Sequence, residues 1–193
     1  MTPRIWAGIA SITVSAIALS TAVDLPPVLL WNASSSVPMG LYRLQSIDHL
    51  SPRVLVAVAP PDPIAAFIAE RGYLPPDIPL LKHVAGLPGQ IVCRIGSSIT
   101  VDGIALGEAQ QIDSHGRPMP IWQGCRRITS DEIFLMNLDV ENSLDGRYFG
   151  PVPRSAILAE ASLIWAADQR ATKHLSPASD VIGDAVVTIP NTP

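Results

Sequence analysis

Three short stretches carry side chains that could make and break an acyl bond. Ser34-Ser35-Ser36-Val37-Pro38-Met39-Gly40-Leu41-Tyr42 places hydroxyls on a turn-prone run. Leu80-Leu81-Lys82-His83-Val84-Ala85 sets a lysine among apolar residues, and Asn142-Ser143-Leu144-Asp145-Gly146-Arg147-Tyr148-Phe149-Gly150 holds a hydroxyl, a carboxylate and a guanidinium within the five positions from Ser143 to Arg147. A serine hydroxyl is a weak nucleophile that needs a base within hydrogen-bond reach and donors for the developing oxyanion. A lysine can be that base if it is neutral. Its unperturbed pKa is about 10.4, so burial must strip its charge. On a strand, Leu80, Lys82 and Val84 share one face, and Leu81, His83 and Ala85 the other. Lys82 therefore has apolar company on both sides, and it either snorkels to water or is held neutral for a task.

The residues after Ser36 strengthen its case. Val37 precedes a proline and is pushed to an extended conformation, and Pro38 and Gly40 then impose a bend. This leaves the Ser36 backbone N–H free as an oxyanion donor. Asp145 and Arg147 alternate and can pair, and Ser143 can orient a neutral lysine amine without recharging it. Each stretch alone also has an ordinary reading: a polar linker, a snorkelling lysine, and a β-turn with a surface ion pair worth little.

The elements that must position these residues are mostly strands. Residues 5–23 form 19 uncharged positions, long enough to span hydrocarbon. Arg4 before them favours a cytoplasmic N-terminus, with everything after Asp24 exported. The run exceeds the usual signal-peptide core, which favours a retained anchor over cleavage near Ser20-Thr21-Ala22. Pro26-Pro27 ends that helix. Strands are expected at Leu41–Ile47, Arg53–Ala59, Leu80–Ala85, Ile91–Ile95, Ser98–Val101, Ile133–Leu138 and Ile157–Ala166. Pro88-Gly89 signals a type II turn and Asp102-Gly103 a hairpin. Residues 60–79 read as a Pro-rich insertion over the sheet, with a short helix at Ile64–Gly72 capped by Asp62. Residues 102–126 read as an excursion and 141–150 as a loop. The organisation is thus an anchor at 1–24, one domain at 25–167 and a tail at 168–193.

Composition narrows the function. A formal charge of −4 and a pI near 5.4, with no dense Lys/Arg run, argue against a nucleic-acid partner. With 19 prolines and 13 glycines, the chain favours strands and turns over a helical bundle. Two cysteines and four scattered histidines make no metal site, and no cofactor is expected. In an exported domain Cys93 and Cys125 are candidates for one disulfide, the alternative being two separate thiols.

Taken together, the three stretches resemble those of the type I signal peptidase superfamily of membrane-anchored Ser/Lys proteases. The resemblance covers about residues 5–166. Lys82-His83-Val84-Ala85-Gly86-Leu87-Pro88-Gly89 is similar to the K-R-V-x-G-x-P-G-D lysine segment, with His83 for arginine and Gln90 for aspartate. Residues 142–150 are similar to N-S-x-D-S-R-x-x-G, with Gly146 for serine. The G-D-N-R that precedes this segment in leader peptidases is Asn137-Leu138-Asp139-Val140 here. Ser36 to Tyr42 fits the S-x-P-x-G-x-Y of the TraF-type conjugal-transfer peptidases, and Gly116 to Cys125 has the same look.

The resemblance implies a mainly β, antiparallel signal-peptidase-like fold with one or two short helices and an N-terminal transmembrane helix. It implies Ser36 as nucleophile, with Ser35 as a rival, and Lys82 as general base. Asp145 and Arg147 become a supporting pair, Asp145 also counting as a third catalytic member in the TraF group. Ser143 would orient Lys82, and Ser34 would add an oxyanion hydroxyl. The implied substrate is a conjugative pilin precursor trimmed at its C-terminus, the acyl-enzyme being resolved by water or by the pilin's own amino terminus to give a ring. The implied setting is the inner membrane, facing the periplasm, beside a conjugation or type IV secretion machinery. The rivals are a general signal peptidase that removes N-terminal leaders and an inactive pilus-assembly binding factor.

Overall fold

The computed structural model describes residues 28–75 and 77–167, together with positions 5, 6, 12 and 14, which are helical. Among the described residues no helix is long and apolar enough to cross a membrane. The expected span at 5–23 and the tail at 168–193 lie almost entirely outside them.

Among the described residues, eleven strands, all paired antiparallel, make two sheets. The larger runs β1 (Leu29–Asn32), β2 (Gly40–Gln45), β11 (Ile157–Ala166), β3 (Leu55–Val58), β4 (Leu80–Gly86), β9 (Glu132–Leu135) and β10 (Val152–Pro153) in that spatial order. The smaller runs β7 (Ile104–Glu108), β6 (Ser98–Val101), β5 (Ile91–Ile95) and β8 (Gly124–Arg127). Among the described residues from 28 onward, two short α-helices accompany the sheets: α1 (Asp62–Glu70) and α2 (Gly146–Phe149).

Sequence patterns account for most of this. The apolar run Leu55–Val58 is a central strand, and Val56 and Ala57 are fully buried on opposite faces. Asp102 and Gly103 both take positive φ, the backbone a two-residue hairpin between β6 and β7 requires. β9 joins the two cores by simple alternation. Ile133 and Leu135 face the core of the large sheet, while Phe134 and the following Met136 pack under the small sheet with Val92, Ile99 and Ile128. β9, which leads into the site at residue 137, is therefore held from both sides.

Four expectations need correction. α1 is preceded by Pro61 as its cap residue, and Asp62 lies inside the first turn with no side-chain cap bond. The 102–126 stretch is no excursion, because it supplies β7 and β8 to the small sheet. The loop at 141–150 contains α2, which Asp145 caps by accepting the Arg147 backbone N–H. β1 lies where no strand was expected, just after the two prolines.

Cys93 and Cys125 sit opposite one another on β5 and β8, with Cα atoms 4.0 Å apart, and are joined by a disulfide.

Candidate active site

The Ser34–Tyr42 turn leaves β1 and returns as β2, and its shape is dictated by named side chains. The Asn32 amide donates to three carbonyls, those of Ser34 (2.9 Å), Val37 (3.2 Å) and Pro38 (3.2 Å). Its Oδ1 accepts from the Ser34 backbone N–H (3.0 Å) and from the Ser34 hydroxyl (2.8 Å). The Tyr42 hydroxyl donates to Pro38 O (2.6 Å), and burial raises that phenol to about 12, so it stays a donor. Gly40 is required for a different reason: a Cβ there would lie 2.0 Å from the Trp165 carbonyl on β11. These contacts give the S-x-P-x-G-x-Y spacing a physical meaning. The carbonyls are claimed by the scaffold, while among the described residues nothing accepts the Ser36 N–H.

The hydroxyl protons can be assigned by counting. Ser34 has one hydroxyl proton, and Asn32 Oδ1 can only accept it. The 3.1 Å contact between Ser34 Oγ and Ser36 Oγ therefore runs from Ser36 to Ser34. For Ser34 to act as an oxyanion donor it must first release Asn32.

Lys82 lies on β4, paired with Val56 of β3, and is only 4% exposed. Its Nζ donates to Ser143 Oγ at 2.8 Å. Desolvation lowers it from 10.5 to about 8; nearby Asp145 opposes the shift and Arg147 adds to it. Ser36 Oγ is not hydrogen-bonded to Lys82 Nζ, but both residues line one cleft of about 530 Å³. Ser34, Ser35 and Ser143 line the same cleft, and Ile68, Tyr73, Leu74 and Pro75 of the expected 60–79 insertion form a wall of it. A lysine donating one N–H to Ser143 keeps its lone pair for a proton taken from elsewhere.

Asp145 and Arg147 lie behind Lys82 and are buried, at 4% and 1% exposed. The ordinary surface-pair reading of this stretch therefore fails. Arg147 Nε lies 3.3 Å from Asp145 Oδ1, and its other nitrogens donate to the carbonyls of Glu141 and Asn137. Burial pushes Asp145 up; Arg147, Lys82 and the backbone N–H groups of Asn137 and Arg147 pull the other way. Gly146 takes the place of the serine in the resembled pattern because a Cβ there would lie 2.5 Å from the Phe134 ring and 2.7 Å from Leu135 O.

The geometry thus brings Ser34, Ser36, Lys82, Ser143, Asp145 and Arg147 to one place, and sets Cys93–Cys125 apart on the small sheet. Asn32 and Asn137 join them, though neither belongs to the motifs that mark the site in the sequence. The one available signal was that Asn137 departs from the resembled pattern.

The signal peptidase, peptidase S26 family model matches residues 4–166. The chain belongs to that family. Within peptidase S26 it is of the TraF type. It is 34% identical over 164 residues to a probable conjugal transfer protein TraF of Sinorhizobium fredii, covering 80% of this chain and 85% of that one. It is 32% identical to the conjugal transfer protein TraF of Agrobacterium fabrum (71% and 82% covered) and 33% identical to a plasmid transfer protein TraF of Escherichia coli (66% and 77% covered). Among solved structures, a signal peptidase I from Enterococcus faecalis matches with a TM-score of 0.37 and 17% identity, covering 61% of this chain and 100% of that one.

Proposed function

We propose that this peptidase S26 protein is a membrane-anchored serine endopeptidase with a Ser36/Lys82 dyad that processes a conjugative pilin precursor at its C-terminus. The observation that carries the dyad is Lys82: a buried amine brought down to about 8, held by Ser143 and facing the cleft that Ser36 lines. Lys82 Nζ takes the hydroxyl proton as Ser36 Oγ attacks the scissile carbonyl. The oxyanion is received by the free Ser36 N–H, joined by Ser34 once its hydroxyl turns from Asn32. Collapse breaks the C–N bond, and Lys82 returns the proton to the departing amine. Water then resolves the acyl-enzyme, or the pilin's own amino terminus does so and closes a ring.

The TraF relatives' role in conjugal transfer supports the substrate and the secretion-machinery partner. The uncharged stretch at 5–23 supports an inner-membrane anchor with the domain in the periplasm. So does the exposed pair Trp31 on the first strand, β1, and Trp165 on the last, β11, stacked with centroids 5.8 Å apart.

The test is the mass of a candidate pilin after incubation with wild type, Ser36→Ala and Lys82→Ala. Cleavage by wild type alone is expected, and a product lighter by one water identifies ring closure. Processing that persists in both variants would remove the dyad.

A further inference from the structure

Asn137 follows β9 and is 2% exposed, yet every polar group it has is engaged. Its neighbours fix its orientation. The His83 backbone N–H can only donate, so the end it meets at 3.1 Å is Oδ1. The other end faces two carbonyls, Ser36 O at 2.9 Å and Leu81 O at 3.1 Å, and must be Nδ2. His83 Nδ1 lies 2.9 Å from the same Oδ1 and therefore carries a proton. The Asn137 backbone N–H donates to Asp145 Oδ2 at 3.1 Å, and its carbonyl accepts from Arg147.

One amide thus grips the nucleophile's own carbonyl and both residues that flank Lys82 on β4. It hydrogen-bonds to neither Ser36 Oγ nor Lys82 Nζ. The turn and β4 belong to parts of the chain far apart in sequence. Among the described residues no other side chain hydrogen-bonds both to Ser36 and to the residues beside Lys82. A glycine, which the resembled leader-peptidase pattern has here, makes none of these side-chain bonds.

We infer that Asn137 is a positioning residue, setting the distance and angle between Ser36 and Lys82. The inference rests on the Ser36/Lys82 reading above. Small misplacements of reacting groups lower turnover without weakening substrate binding. They also leave the base's own titration in place, because Asn137 makes no hydrogen bond to Nζ.

The test uses the full-length protein in detergent micelles and a fluorogenic peptide with alanine on the acyl side of its scissile bond, chosen because wild type cleaves it. Asn137→Ala is expected to lower kcat roughly 10- to 100-fold, with KM within about threefold and the rising limb of the kcat/KM–pH profile at its wild-type midpoint. Asn137→Asp keeps the size and the His83 contact but sets a carboxylate oxygen against Ser36 O. It is expected to be no faster than Asn137→Ala. Unchanged kcat per folded molecule, a loss carried by KM, or a midpoint displaced by about a unit or more would each overturn the inference. Ser36→Ala and Lys82→Ala run beside them. If those two still cleave, the dyad itself is wrong; if they are dead while Asn137→Ala matches wild type, only the positioning role is. Should the Asn137 variants not fold, side-chain amide exchange in the 15N-labelled wild type decides. Protection of the Asn137 NH2 by about tenfold or more over a free asparagine is expected, and exchange at the free rate overturns the inference.

Discussion

At the scale of single residues, Lys82 as the proposed base sets up a conflict between chemistry and stability. A base of pKa about 8 is one-tenth neutral at pH 7 and mostly neutral at pH 9. We expect kcat/KM to climb about tenfold per pH unit below 8 and level off above it; an inflection near 10.5 instead would mean the amine is solvated in the working enzyme. The same shift acts on folding. The native pKa lies below the unfolded value, so between about 8 and 10.5 the unfolded chain holds more protons, and stability rises with pH across that window. Below 8 the penalty for burying the charge is fully present, on the order of 3 kcal/mol. Lys82→Met should therefore abolish cleavage and yet raise the unfolding free energy at pH 7 by about 2 kcal/mol, measured by denaturant titration. Ser143→Ala removes the hydroxyl that holds Nζ, and should lower kcat by roughly 10-fold or more while the lysine remains.

At the scale of elements, two glycines decide how closely strands and turns approach. Gly40→Ala drives a Cβ into the Trp165 carbonyl, where neither backbone can yield cheaply. The β2–β11 pairing that aligns Gly40 with Ala166 must then shift. Thermal melts should show a loss of more than about 3 kcal/mol, with the Ser36 turn losing its activity in proportion. Gly146→Ser restores the residue of the resembled pattern, yet should destabilise this chain, because Phe134 and Leu135 occupy that space. A fully stable Gly146→Ser protein would contradict the packing of α2 on β9.

At the scale of the whole molecule, the disulfide belongs to the small sheet. Reducing it, or replacing both cysteines by alanine, should cost about 3–4 kcal/mol for a loop spanning 32 residues. Urea midpoints with and without reductant would test this; coincident midpoints would make the bond incidental. Much of the architecture was legible in the sequence where local signals were strong. β5, β6 and β11 fall at their expected bounds, because alternation and turn residues frame them. β1 was hidden behind Pro26-Pro27, and only its pairing with β2 makes Leu29–Asn32 a strand. β8 was hidden because its four residues are all exposed and carry no apolar alternation. The Ser36, Lys82 and Asp145 segments were legible as motifs, but the network between them was not. Asn137 reaches partners 101 and 56 positions away, and no spacing rule reports such contacts.

The burial of Lys82 has a practical consequence for anyone who engineers this peptidase. Selecting a mutant library by heat challenge alone would reward loss of the amine, and the hardiest survivors would be enriched in inert proteins. A screen for robust catalysts has to score product at every round, since here the sturdiest sequence and the working one are different sequences.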